Sequence, residues 1–242
     1  MSSSQAQDYR LYGTSQPPAE GQHVAMLDLT FVAEGAQLRR FCVDQREIMR
    51  SVGLVIRDEF WGTHHLLQQH LETRSEHRQW WRKVEGIVAS NADKPVLDWR
   101  LEMDIRGDRL SIKAELSARR DFSTCRAGLM LLHPLDGVVG APVSVIHSDN
   151  QQEEGVFPDL ISASQPFFDI AGLVHSPAPG LVLDWRLSGD VFEMEDQRNW
   201  SDASFKTYNR PLALPCPYVI EAGQRVEQRI ELTVLRNQDY RP

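Results

Sequence analysis

The chain has 242 residues, with 26 Lys+Arg against 34 Asp+Glu and a formal charge of −8. An acidic balance of this kind argues against a nucleic-acid-binding protein, which carries a basic surplus on one face. A chain of this length buries about 70–75% of its unfolded surface and needs no disulfide staple, and no run of 18 apolar residues marks a membrane span.

Cys42, Cys125 and Cys216 are scattered, with no C-x-x-C pair, and read as reduced core thiols of a cytoplasmic protein. The polar start MSSSQAQDYR lacks the apolar segment of a signal peptide. Residues 1–23, with Pro17 and Pro18, read as a flexible arm, and 24–242 as one β-sandwich domain.

From Val24 the chain reads as a meander. Leu27, Leu29 and Phe31 share one face, Leu38 to Val43 forms a second strand, and Ile48 to Arg57 a third. Arg57-Asp58 ends that strand, and Trp61-Gly62 makes a tight aromatic corner. Residues 66–78 fit a short helix or an irregular strand. His64 and His65 would point to opposite faces of a strand, and His70 and His77 are two turns apart on a helix, so no metal site is expected. No cofactor is called for either.

The stretch 96–116 is the clearest element. Leu97, Trp99, Leu101, Met103 and Ile105 alternate with polar residues, Gly107-Asp108 turns the chain, and Leu110, Ile112, Ala114 and Leu116 alternate again. This is a hairpin with one buried and one wet face. GLMLLHP (128–134) reads as a buried central strand. The odd spacing of Arg126 and His133 puts them on opposite faces unless a bulge intervenes. Short strands follow at 143–146, 154–157 and 167–175, then a hairpin of Leu181–Leu187 with Val191–Glu195, and a last hairpin of Tyr218–Glu221 with Arg225–Val234. About a dozen short strands imply a large antiparallel β-sandwich with few short helices, an all-β fold.

Val191 to Pro211 (VFEMEDQRNWSDASFKTYNRP) concentrates the reactive chemistry. Glu193 and Glu195 fall on one strand face, about 7 Å apart at two residues of strand rise. Asp196, Arg198, Trp200, Asp202, Lys206 and Tyr208 follow on a polar, aromatic loop and its return. Lactone hydrolysis and ring epimerisation each need a general base and a general acid near a ring carbon or oxygen. Glu193 or Glu195 would be the base and His133 the acid. Arg126, Arg198 or Lys206 would hold a carboxylate or an oxyanion; Trp61, Trp200 or Tyr208 would stack on a sugar face, with Asp196 and Asp202 completing the binding set. The same charges pairing with one another would make a purely structural loop. There is no G-x-S-x-G elbow, phosphate-binding glycine loop, dinucleotide fingerprint or H-E-x-x-H.

The segments IMRSVGLVIRDEFWGT (48–63), TCRAGLMLLHPL (124–135), EEGVFPDLISASQPFFDIAGL (153–173) and VFEMEDQRNWSDASFKTY (191–208) resemble, in the same order, the N-terminal region of bacterial D-apionate lactonases. The resemblance implies a sandwich of the galactose-mutarotase kind. It also implies chemistry on a branched sugar-acid lactone, and a longer protein that continues into a barrel. Three functions fit: an enzyme on a sugar acid or sugar lactone; a non-catalytic carbohydrate-binding module; or an assembly domain that docks a second copy or a separate catalytic subunit. The expected partner is a small carbohydrate, with neither nucleic acid nor membrane.

Overall fold

In the computed structural model, residues 21–89 and 94–236 are described, together with Gln7 and Arg10. The arm expected at 1–23 therefore lies almost wholly outside the described residues. Eighteen strands follow in chain order. The first nine are β1 (Gln22–Met26), β2 (Leu29–Glu34), β3 (Gln37–Val43), β4 (Arg46–Arg57), β5 (Leu67–Glu76), β6 (Gln79–Ala89), β7 (Pro95–Arg106), β8 (Arg109–Ala118) and β9 (Phe122–Thr124). The rest are β10 (Arg126–Pro134), β11 (Pro142–His147), β12 (Gln152–Val156), β13 (Ile170–Ala178), β14 (Leu181–Ser188), β15 (Glu193–Asp196), β16 (Ser204–Tyr208), β17 (Tyr218–Ile220) and β18 (Arg225–Arg236).

They build a smaller sheet of seven strands, ordered β1-β2-β3-β4-β10-β16-β15, and a larger one of nine, ordered β12-β11-β13-β14-β18-β8-β7-β6-β5, with β9 and β17 pairing on their own. Period-two alternation gives each sheet one apolar face, and these faces must cover each other. Phe31 of the smaller sheet meets Trp80 of the larger edge-on at 5.0 Å between ring centres. His133 meets Trp185 at 5.8 Å. Buried side chains of both sheets form one continuous core.

The 96–116 hairpin forms as β7–β8, in register from Leu97 against Ala118 to Arg106 against Arg109. Other local expectations give way to long-range pairing. Leu181–Leu187 does not pair with the strand after it. β14 pairs with β13 and β18 in the larger sheet, while β15 crosses to the smaller one. The crossing is made at Gly189, with φ of 95°, where a Cβ would lie 2.0 Å from the Glu227 carbonyl oxygen, so only glycine fits. β17 and β18 likewise form no hairpin, since β17 pairs with β9 and β18 lies between β8 and β14. Within the stretch 66–78, Leu67–Glu76 is strand and residues 77–78 turn the chain: β5 is the exposed outer strand of the larger sheet. Leu27 is a turn residue with φ of 58° and 55% exposure, not a partner of Leu29 and Phe31 on the buried face. Of the cysteines expected in the core, Cys125 is buried, Cys42 is half-buried and Cys216 is exposed. Among the described residues no helix is long and apolar enough to cross a membrane.

Candidate functional site

Pairing across the smaller sheet decides which side chains meet. Glu195 lies opposite Lys206, and Lys206 opposite Leu132; Glu193 lies opposite Tyr208, and Tyr208 opposite Met130. Four residues further along β10 from Met130, Arg126 lies directly opposite Arg57 of β4. Residues between these, such as Leu129, Leu131, Met194 and Phe205, are buried in the core. Alternation therefore places Glu193, Glu195, Lys206, Tyr208, Arg126 and Arg57 together on the outer face of the smaller sheet, at its β15 end.

His133 does not join them. It is fully buried on the core face, with Nε2 2.9 Å from Thr207 Oγ1. No bulge interrupts β10 between Arg126 and Leu132, so the odd spacing holds. Burial, then the neighbouring His175, pushes the His133 pKa down to about 3, and burial pushes His175 down to about 4. Both stay neutral when folded, whereas an unfolded histidine titrates near 6.5, a value typical of model peptides. Their contribution to stability is therefore complete above about pH 6.5 and is lost progressively as pH falls towards the folded values. Thermal melts are expected to decline from pH 6.5 to 4, with a shallower decline in His175→Phe. An identical slope in the variant would contradict this.

Around the outer-face group, each carboxylate has a distinct environment. Glu195 binds Lys206 Nζ at 2.5 Å and accepts a hydrogen bond from Trp200 Nε1 at 2.9 Å. Burial raises the Glu195 pKa, but the Lys206 bond and charge, Trp200 and Arg126 together hold it below the usual carboxylate range. Burial pulls Lys206 below the ordinary amine value, with Arg126 and Arg57 adding to the shift against Glu195. Glu193 Oε1 accepts from the Tyr208 hydroxyl and, at 2.8 Å, from the Leu212 N–H, while Oε2 is buried without a partner. Burial first, then Glu193, raises the Tyr208 phenol.

Asp196 and Arg198 satisfy each other. Asp196 ends β15 and caps the 3₁₀ turn Gln197–Trp200, accepting from Arg198 N–H at 3.1 Å. Arg198 binds both Asp196 oxygens at 2.9 and 2.8 Å and donates to the carbonyls of Pro158, Asp159 and Leu160. Ser162 N–H completes Asp196 at 2.9 Å. The pair fixes the 158–162 loop against the turn. Asp202 hydrogen-bonds Ser204 and lines a separate groove with Arg39, Arg40 and Arg50.

Between the turn and that loop lies a cleft of about 370 Å³ lined by Ser162, Ser164, Gln165, Glu195, Asn199 and Trp200. Trp200 is 72% exposed, an open aromatic face beside polar groups. On the other side of Glu195, Arg126 stacks on Tyr208, with Cζ 3.8 Å from the ring centre, and on Trp61 at 5.4 Å. Trp61 is held by Asp58, whose Oδ1 accepts from Phe60 N–H at 2.8 Å and Gly62 N–H at 2.7 Å. Neither Arg57 nor Asn199 is among the site residues expected from the sequence, although Asn199 lies within the stretch that concentrates the reactive chemistry. Arg57 meets Arg126 only through strand pairing, and Asn199 meets the cleft only through the turn.

The profile of the D-apionate lactonase N-terminal domain matches residues 9–237. The chain belongs to that family. D-apionate lactonase of Brucella anthropi is 37% identical over 230 residues, covering 93% of this chain and 37% of the relative. The chain thus spans little more than a third of that protein's length. Solved structures of the same architecture include a Synechocystis sp. PCC 6803 protein (TM-score 0.56, 8% identity, covering 92% of this chain and 97% of that one). A galactose 1-epimerase of Lactobacillus acidophilus matches with TM-score 0.52 at 7% identity, covering 91% of this chain and 100% of that one. An alpha-galactosidase of Geobacillus stearothermophilus matches with TM-score 0.53 at 7% identity, covering 90% of this chain and 41% of that one. At such identities the likeness concerns the fold alone, and the fold is the galactose-mutarotase-like sandwich.

Proposed function

We propose that this domain binds a sugar acid or sugar lactone in the Trp200 cleft, as the carbohydrate-recognition part of a lactonase-type protein. The observation that carries it is the exposed Trp200 ring over a cleft of polar groups. Apolar sugar faces stack on such rings while neighbouring amides, hydroxyls and carboxylates take the sugar hydroxyls. Membership of the D-apionate lactonase family supports a sugar-acid or lactone ligand.

Binding is favoured over catalysis by this domain alone. Lactone opening asks for a base near neutral pKa. Glu195 is held as a carboxylate by Lys206, Glu193 is enclosed beneath Tyr208 and Leu212, and His133 is on the other face. The base would then come from elsewhere in the longer protein or from a separate catalytic subunit. Unpaired cysteines suit a reducing compartment such as the cytoplasm. Calorimetric titration with five-carbon aldonates and their lactones is expected to show binding that Trp200→Ala weakens about two- to tenfold, the worth of a lost aromatic contact of about 0.5–1.5 kcal/mol, with the melting temperature unchanged. The chain by itself is expected to open no lactone faster than buffer does. Absence of binding to every acid and lactone would refute the reading.

A further inference from the structure

Arg126 is 6% exposed, and its Nε is buried with no hydrogen-bond partner. Among the described residues no carboxylate is within ion-pair distance of it, because Glu195 is engaged by Lys206 and Trp200. Buried charges ordinarily have partners. Directly opposite stands Arg57, also with a buried, unpartnered Nε and with Nη1 on the Trp61 carbonyl and the Thr63 hydroxyl. Like charges directly opposite in a sheet are destabilising. A protein that keeps such a pair, with Lys206 beside it, holds an unfavourable arrangement that an incoming anion relieves.

We propose that Arg126, with Arg57 and Lys206, forms a carboxylate-anchoring subsite, so that the ligand of the neighbouring cleft is the ring-opened sugar acid and not the neutral lactone. This rests on the sugar-binding reading of that cleft. Formal charge sets the class of anion. Three cations against Glu193 and Glu195 leave a net +1, which one carboxylate neutralises and a phosphate dianion overshoots. The guanidinium fork matches a carboxylate in two parallel hydrogen bonds. Its flat faces are already held by Tyr208 and Trp61, so little side-chain freedom is lost on binding. A bound carboxylate supplies the partner that Nε lacks, beside the Trp61 ring, which is 42% exposed at the corner. Burial lowers the Arg126 pKa from its ordinary value, opposed by Tyr208 and Glu195 and reinforced by Arg57.

The test titrates the domain with arabinonate, arabinono-1,4-lactone, propionate and inorganic phosphate. Wild type is expected to bind arabinonate about 10- to 100-fold more tightly than the lactone, the worth of a charge-assisted hydrogen bond. Arg126→Met is expected to reduce the acid to the affinity of the lactone and leave lactone binding within twofold. It is expected to melt no lower than wild type, since a like-charge contact is removed. Should Arg126→Met fail to fold, Arg57→Met carries the test, with acid binding several-fold weaker and lactone binding unchanged. Equal affinity for acid and lactone, unaltered acid binding in the Arg126 or Arg57 variant, or tighter binding of phosphate than of arabinonate would each overturn the subsite. Propionate separates this proposal from the one it rests on. If no sugar binds but propionate shifts the Arg126 Nε–H nuclear magnetic resonance signal, the cleft reading fails and the carboxylate subsite stands. If sugars bind but propionate moves no arginine signal, the subsite fails and the cleft reading stands.

Discussion

Trp99→Ala is expected to cost about 3–5 kcal/mol, as for other buried large aromatics, a large part of the 5–15 kcal/mol that typically separates folded from unfolded domains. Trp99 is 3% exposed and sits in the core row of β7 between Leu97 and Leu101. Its ring lies over Gly86 on β6, the residue directly opposite, where an added Cβ would come within 2.4 Å of the indole. Glycine at 86 and tryptophan at 99 are therefore a matched pair, and alanine at 99 opens a cavity that the backbone of β6 cannot fill. Trp99→Phe should cost clearly less, because the indole N–H that it gives up has no partner in the core. Urea unfolding checks this: the midpoint should fall with an unchanged slope. A loss under about 1 kcal/mol would put Trp99 on the wet face and shift the whole strand by one residue.

That strand was legible in the sequence because its apolar row faces one core without interruption, so local pattern and final packing agree. β5 was not, and the reason is its position. As the exposed outer strand of the larger sheet it buries almost nothing, and a strand wet on both faces carries no period-two signal. The supposed hairpin of 181–187 with 191–195 failed for another reason. Alternation reports which face a strand buries, not which strand it pairs with, and β14 and β15 bury faces in opposite sheets. The same limit shaped the site. Period two put Glu193 and Glu195 on one face, and odd spacing separated Arg126 from His133. Nothing in the spacing paired Glu195 with Lys206 or set Arg57 beside Arg126, because those contacts exist only once β4, β10, β16 and β15 are in register.

Arg198→Met is expected to cost about 3–5 kcal/mol, the usual penalty for removing one partner of a buried ion pair. The two side chains are 13% and 0% exposed, so solvent screens the pair little. The variant leaves Asp196 buried beneath the 3₁₀ turn and frees three carbonyls of the 158–160 segment from their donor. A double variant, Asp196→Leu with Arg198→Met, should recover part of the loss, since no buried charge is left alone. The pH dependence follows from Asp196. Burial raises its pKa, but the Arg198 side chain, the Ser162 and Arg198 N–H groups and the Arg198 charge lower it further, for a net depression. The pair's contribution is therefore present above the unfolded aspartate value of about 3.9 and disappears as pH falls through the lower folded value. The deficit of Arg198→Met should be full at pH 7 and shrink below about pH 4. Because the same arginine fixes the loop that carries Ser162, Ser164 and Gln165, ligand affinity in the Trp200 cleft should fall with stability in this variant, while Trp99→Phe leaves affinity untouched. Melts at pH 7 and pH 3, set beside titrations with an aldonate, measure both effects; a pH-independent loss under about 1 kcal/mol would mean the pair is worth no more than a surface salt bridge.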